Sequence, residues 1–139
     1  MAHARAHSAR EGINIKMGRN NTVVLACGKE LADEVNVGVL ESAGFLVINT
    51  SNLDYALAAN ELFDPTAIVL DIDQTNGEIE DFCRVLIERS RYPLIYILGD
   101  EKKAKVCKSL LFTQSEYLKK PLSAFELTAR IIKDANTSF

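Results

Sequence analysis

The chain has 139 residues, of which 47% are hydrophobic and 25% charged, and carries a formal net charge of −3. That length suits one domain able to bury a full core without staples, and the apolar runs are strand-sized, well short of the roughly 20 residues that cross a bilayer. The three cysteines, Cys27, Cys83 and Cys107, are widely spaced, odd in number and without a Cys-x-x-Cys pair, which argues against a disulfide framework or zinc site and for a reducing compartment, the cytoplasm.

Residues 1–20 set Arg5, Arg10, Lys16 and Arg19 against Glu11, with no continuous apolar segment and no helical stripe. They read as a disordered basic tail ahead of a folded domain over residues 21–139. Both histidines, His3 and His7, fall in that tail, so the body has no imidazole for a Ser-His or Cys-His pair or for a histidine-ligated metal. From residue 22 onward, short continuous apolar runs alternate with helical patterns, the signature of parallel strands buried on both faces between crossover helices. A first strand is predicted over 22–26. A helix over 29–43 follows, with Leu31, Val35, Val39 and Leu40 inward and Gly44 as a left-handed terminator. After a strand over 45–48, Asn52 caps a second helix bearing Ala56, Leu57, Ala59 and Leu62, and Asp64-Pro65 breaks it before a third strand over 66–70. Asp71 ends that strand. Beyond a loop over 72–77, Ile79, Phe82, Val85 and Leu86 mark a third helix. Pro93 admits a fourth strand over 94–98, and Asp100 caps a lysine-rich fourth helix. A short strand over 116–119 precedes a last helix, opened by the capping box of Ser123 and Glu126 and running to about Asn136.

The segments FDPTAIVLDID, RYPLIYILGD and EYLKKPLSAFEL fall in the order and spacing of the third, fourth and fifth strands of response-regulator receiver domains, without a gap from Asp71 to Pro121. Gly44-Phe45, Asn52 with Ala56, and Asp64-Pro65-Thr66 agree with the same pattern, so the chain resembles that family over residues 22–136. The resemblance implies an α/β, flavodoxin-like doubly wound sheet of five parallel strands in the order 2-1-3-4-5 with five helices, and a functional crevice at the carboxyl ends of the strands. It places Asp71 at the phosphoacceptor position, Lys120 at the family's lysine and Tyr117 at its switch aromatic.

Two departures set the functional expectation. Receivers hold Mg²⁺ with the phosphoacceptor and an acidic pair after the first strand, whereas this sequence has Ala26-Cys27-Gly28 there, none of which offers the hard oxygen ligands that Mg²⁺ requires. The family's threonine or serine at the end of the fourth strand is Leu98, which cannot hydrogen-bond a phosphoryl group, and Thr75 stands where a proline is common. The expectation is a pseudo-receiver: no enzyme, no cofactor, no metal, with Asp71 inactive and paired to Lys120 in a closed pocket. Tyr117 is then static, packed under the fourth helix with its hydroxyl in water. The alternative is a phosphoacceptor modified on Asp71, with Asp73, on the same strand face, completing an unconventional metal site. Cys27 reads as a small core hydrophobe, or else as a redox thiol with its pKa lowered at a helix start.

Charge is polarised along the chain. Residues 21–99 hold 13 acidic and 4 basic side chains, net −9, and residues 100–133 hold 4 acidic and 8 basic, net +4. Lys102, Lys105 and Lys108 on the fourth helix, Lys119 by the last strand and Arg130 on the last helix map onto the face where receivers dock partners. A protein partner or a second copy, its acidic portion included, is therefore expected there, with apolar help from Leu111 or Phe112. Nucleic acid is disfavoured because no aromatic platform accompanies the lysines. No nucleotide-binding glycine motif or nucleophile elbow announces a small-molecule substrate, and no membrane contact is expected.

Overall fold

Continuous apolar runs, rather than alternating ones, build the central sheet of the computed structural model, which describes residues 21–29, 31–75, 78–88, 93–111 and 115–137. The expected N-terminal tail and Phe112 lie outside the described residues. The chain runs β1 (Thr22–Ala26), α1 (Glu34–Ser42), β2 (Leu46–Thr50), α2 (Leu53–Phe63), β3 (Ala67–Asp71), α3 (Ile79–Ile87), β4 (Leu94–Leu98), α4 (Glu101–Leu111), β5 (Ser115–Tyr117) and α5 (Ala124–Thr137). The strands form one sheet in the order β2-β1-β3-β4-β5, every neighbouring pair parallel.

Every residue of β1 and β3 is buried, as strands covered on both faces must be. On one face Val24, Ile68, Leu70 and Ile97 meet Leu53, Ala56, Phe82 and Leu111 from α2, α3 and α4. On the other, Val23, Leu25, Val69 and Tyr96 meet Leu40, Leu127 and Ile131 from α1 and α5. Tyr96 brings a hydroxyl into that second core and satisfies it by donating to Asp134 Oδ2 at 2.7 Å. Local chemistry sets the ends of the elements. The Asn52 side chain accepts from Tyr55 N–H, Ser123 and Glu126 bond each other's backbone N–H groups, and Gly44 sits at φ 101° after α1.

Several expected boundaries and faces are corrected. The first helix begins at Glu34, not near residue 29, because Asp33 Oδ1 accepts from Asn36 N–H and fixes the cap there. Val35, inside α1, is 72% exposed instead of inward because Leu40 takes the sheet-facing position, and Leu62 on α2 is 77% exposed. β2 and β3 each run one residue later than expected at their starts, and β5 starts one residue earlier and ends two sooner. Among the described residues, no helix is long and apolar enough to cross a membrane.

Candidate functional site

β3 delivers Asp71 to the carboxyl edge of the sheet opposite Leu98 of β4, and the chain leaving β5 returns Lys120 to the same point. Lys120 Nζ lies 2.7 Å from Asp71 Oδ2, and Asp73 N–H donates to Asp71 Oδ1 at 3.1 Å. Both carboxylate oxygens thus hold a donor. The pair closes one side of a cleft of about 440 Å³ walled by Leu31, Leu98, Pro121 and Leu122. That cleft opens to solvent, correcting the expectation of a closed pocket: the Asp71 side chain is 6% exposed but that of Lys120 is 37%. Lys120→Ala therefore strands a buried carboxylate beside water, and urea unfolding should register a loss of about 1–3 kcal/mol, between the fully buried and fully solvated limits for an ion pair. A loss under ~1 kcal/mol would show that Asp71 is hydrated without its partner.

The donors around Asp71 do not fit a hexacoordinate Mg²⁺. β1 ends at Ala26, and Cys27 and Gly28 follow without an oxygen-bearing side chain. Over Gly28 lies the side chain of Gln74, whose Oε1 would sit 2.8 Å from a Cβ there. Asp73 is drawn away from the first strand: its Oδ1 accepts from Asp100 N–H at 3.2 Å, above Gly99. The expectation that Asp73 shares a strand face with Asp71 fails because the strand ends at Asp71, so its alternation stops there. Among the described residues, no three His, Cys, Asp or Glu side chains converge to hold a metal.

Cys27 is buried, and its thiol is pushed up to about 12, first by burial and then by the charge of Asp71, with Lys120 acting against both. A lowered thiol at this strand end is thereby overturned in favour of a protonated core residue. Leu98 is buried in the cleft wall with no hydroxyl to offer. Tyr117 packs against the core on the α4 side, but its hydroxyl is not left in water: it donates to Gly99 O at 3.0 Å. Gly99 (φ 114°) turns the carbonyl that receives this bond. Gln74, Leu31 and Leu122 entered the site unforeseen, whereas Gly99, a glycine just past a strand, left a sequence signal beside Leu98.

The basic face is less free than its sequence suggests. Lys102, Lys105 and Lys119 are exposed, yet Lys108 Nζ donates to Ser115 O at 3.2 Å, tying α4 to β5. Arg130 forms an ion pair with Glu116, which holds the guanidinium pKa above its ordinary value. Leu111 is fully buried and offers nothing to a partner.

No protein-family model matches the chain, and no curated protein does. Solved structures do. A response-regulator signal receiver domain from Bermanella marisrubri is similar at TM-score 0.64 and 21% identity, covering 81% of this chain and 96% of its own. A Francisella response-regulator receiver domain gives 0.67 and 17%, covering 85% and 98%. The receiver domain of a Pseudomonas aeruginosa sensor histidine kinase, solved with a magnesium ion coordinated in its active-site cleft, gives 0.69 and 18%, covering 85% and 99%. With the strand order and the placement of Asp71 and Lys120 at the carboxyl edge, these likenesses establish that the chain has the flavodoxin-like fold of response-regulator receiver domains.

Proposed function

We propose that the chain is an atypical receiver domain of a bacterial-type signal-transduction system that works as a phosphorylation-independent protein-interaction module. The observation that carries this reading is the Asp71 carboxylate, whose two oxygens are already held by Lys120 Nζ and Asp73 N–H while the end of β1 supplies no carboxylate. Phosphoryl transfer depends on a free, positioned nucleophile and on neutralised charge at the acceptor; this site supports neither. The Tyr117–Gly99 bond and the bulk of Leu98 favour one fixed arrangement of the β4–α4 end over a switch. The open cleft beside Asp71 favours the second reading, a phosphoacceptor receiver modified on Asp71. Three buried free cysteines suit a reducing cytoplasm.

Docking is assigned to the face built by α4, β5 and α5, where Lys102, Lys105 and Lys119 stand exposed, and the fitting partner is an acidic protein surface, the net −9 portion of a second copy included. Sedimentation at low and high ionic strength tests it. Self-association should weaken as salt rises, since exposed charges are screened beyond ~8–10 Å at physiological salt. The variant Lys102→Glu/Lys105→Glu/Lys119→Glu should weaken it at least ~10-fold, and Asp71→Asn should leave it unchanged. Lys108 is spared because its tether to Ser115 would confound binding with folding. A chain that stays monomeric at both salt concentrations and ignores an acidic protein surface would reject the assignment.

A further inference from the structure

The strand order leaves two open edges, and the protein guards them unequally. β5 is three residues long and flanked by the Glu116–Arg130 pair and Lys119, the short charged edge that discourages strand pairing. β2 is five residues long, and from Phe45 to Leu53 the chain carries no charged residue and no proline. Leu46 N–H donates to Asn21 O at 2.7 Å and Thr50 O accepts from Cys27 N–H at 3.1 Å. These bonds fix which peptide groups face β1. Leu46, Ile48 and Thr50 turn theirs inward, and by strand alternation Val47 and Asn49 turn theirs outward. Among the described residues, no bond reaches those outward groups.

We propose that the β2 edge binds an extended segment of a partner protein, with basic and apolar residues alternating, as a sixth strand. The two flanks of the edge differ in chemistry. On the α2 side, Leu46 is 46% exposed, and Tyr55 and Leu62, two helical turns apart, are 70% and 77% exposed. With Leu53, Ala56 and Ala59 turned to the sheet, and α2 crossing right-handedly from β2 towards β3, the helical wheel carries Tyr55 and Leu62 to the flank over the free edge. On the α1 side, Val39 and Ser42 face the groove towards α5, which leaves the exposed Glu41, in the last turn of α1, on the flank beside the start of β2. An added strand presents alternate side chains to these flanks: apolar ones under Tyr55 and Leu62, basic ones beside Glu41 within the net −9 portion of the chain. A second copy paired edge to edge would instead bring two such acidic portions together, which like-charge repulsion opposes.

The probe is a capped peptide of alternating lysine and isoleucine, titrated into the whole chain and followed by amide NMR. Binding should saturate, weaken with salt, and give its largest changes and new exchange protection at Val47 and Asn49. A glutamate–isoleucine peptide should not bind. Asn49→Pro deletes an outward N–H that no sheet bond uses, so it should abolish binding while the melting curve holds. Tyr55→Ser/Leu62→Glu, confined to exposed helix positions, should lose at least ~10-fold in affinity even if the proline variant misfolds. Lys102→Glu/Lys105→Glu/Lys119→Glu should leave this binding intact, which separates the edge from the lysine face. No saturable binding, equal binding by a folded Asn49→Pro, or equal binding of the acidic peptide would overturn the proposal. A dimer that tightens with salt and is lost in Asn49→Pro would overturn it in favour of edge-to-edge pairing.

Discussion

Incubated with Mg²⁺ and acetyl phosphate, Asp71 should gain no stoichiometric phosphoryl group, its modification running roughly a thousandfold or more below that of a metal-assisted acceptor, about 4 kcal/mol in barrier. To attack phosphorus, a carboxylate oxygen must be free and the incoming negative charge neutralised. Asp71 Oδ2 instead meets Lys120 Nζ at 2.7 Å, and Oδ1 meets Asp73 N–H at 3.1 Å. A phosphoryl group arriving there would have to break at least one of these contacts, and Lys120 alone would remain to balance it, since Asp73 is engaged by Asp100 N–H and Cys27 and Gly28 bring no ligand. Leu98 then adds an apolar wall where an acceptor oxygen would need a donor. Intact-mass spectrometry decides the matter: one added phosphoryl group, absent from Asp71→Asn, would replace the pseudo-receiver reading with the phosphoacceptor one.

What the sequence disclosed follows from where its signals are local. β4 falls on residues 94–98 as expected because Pro93 and Gly99 punctuate a purely apolar run, and β1 falls on 22–26 between Asn21 and Cys27-Gly28. Asp71 and Lys120 were foreseeable as neighbours because Asp71 ends one strand and Lys120 follows another at the same edge of a parallel sheet. Where local signals compete, the expectation failed. Leu31, Val35 and Val39 repeat at helical spacing, but Asp33 captures Asn36 N–H and starts the helix after Leu31, and Leu40 rather than Val35 turns to the sheet. Leu62 stands three residues after Ala59 and fits its apolar stripe on paper, yet Leu53, Ala56 and Ala59 take the sheet-facing positions and leave it exposed. The Tyr117–Gly99 bond and the Arg130–Glu116 pair join residues far apart in sequence and depend on a positive φ and on helix placement, neither of which a pattern of residue types encodes.

Above about pH 9, the fold is expected to lose stability steeply, at about 1.4 kcal/mol per pH unit for each group that ionises only after unfolding. Cys27 is one such group, raised from the ordinary thiol value of 9.0 to about 12 by burial and then by Asp71. Cys83 is raised by its bond to the Cys107 thiol and by burial, and Tyr96 by burial and then by its bond to Asp134. Each is an acid whose neutral form the folded state favours. The unfolded chain releases those protons first, so stability is intact below the unfolded value and drains away as pH climbs towards the folded one. Cys107 is lowered by the same bond to Cys83 and offsets part of the effect on α3 and α4. From pH 9 to pH 11, Cys27 alone should remove about 2–3 kcal/mol, a large share of the roughly 5–15 kcal/mol that holds a domain together. Urea midpoints taken across that range should fall progressively, and Cys27→Ala, less stable at neutral pH through its small cavity, should show a slope shallower by about one titrating group. A wild-type stability that stays flat to pH 11 would mean that Cys27 and Tyr96 ionise inside the fold, and the sealed core on the α1 and α5 side of the sheet would have to be abandoned.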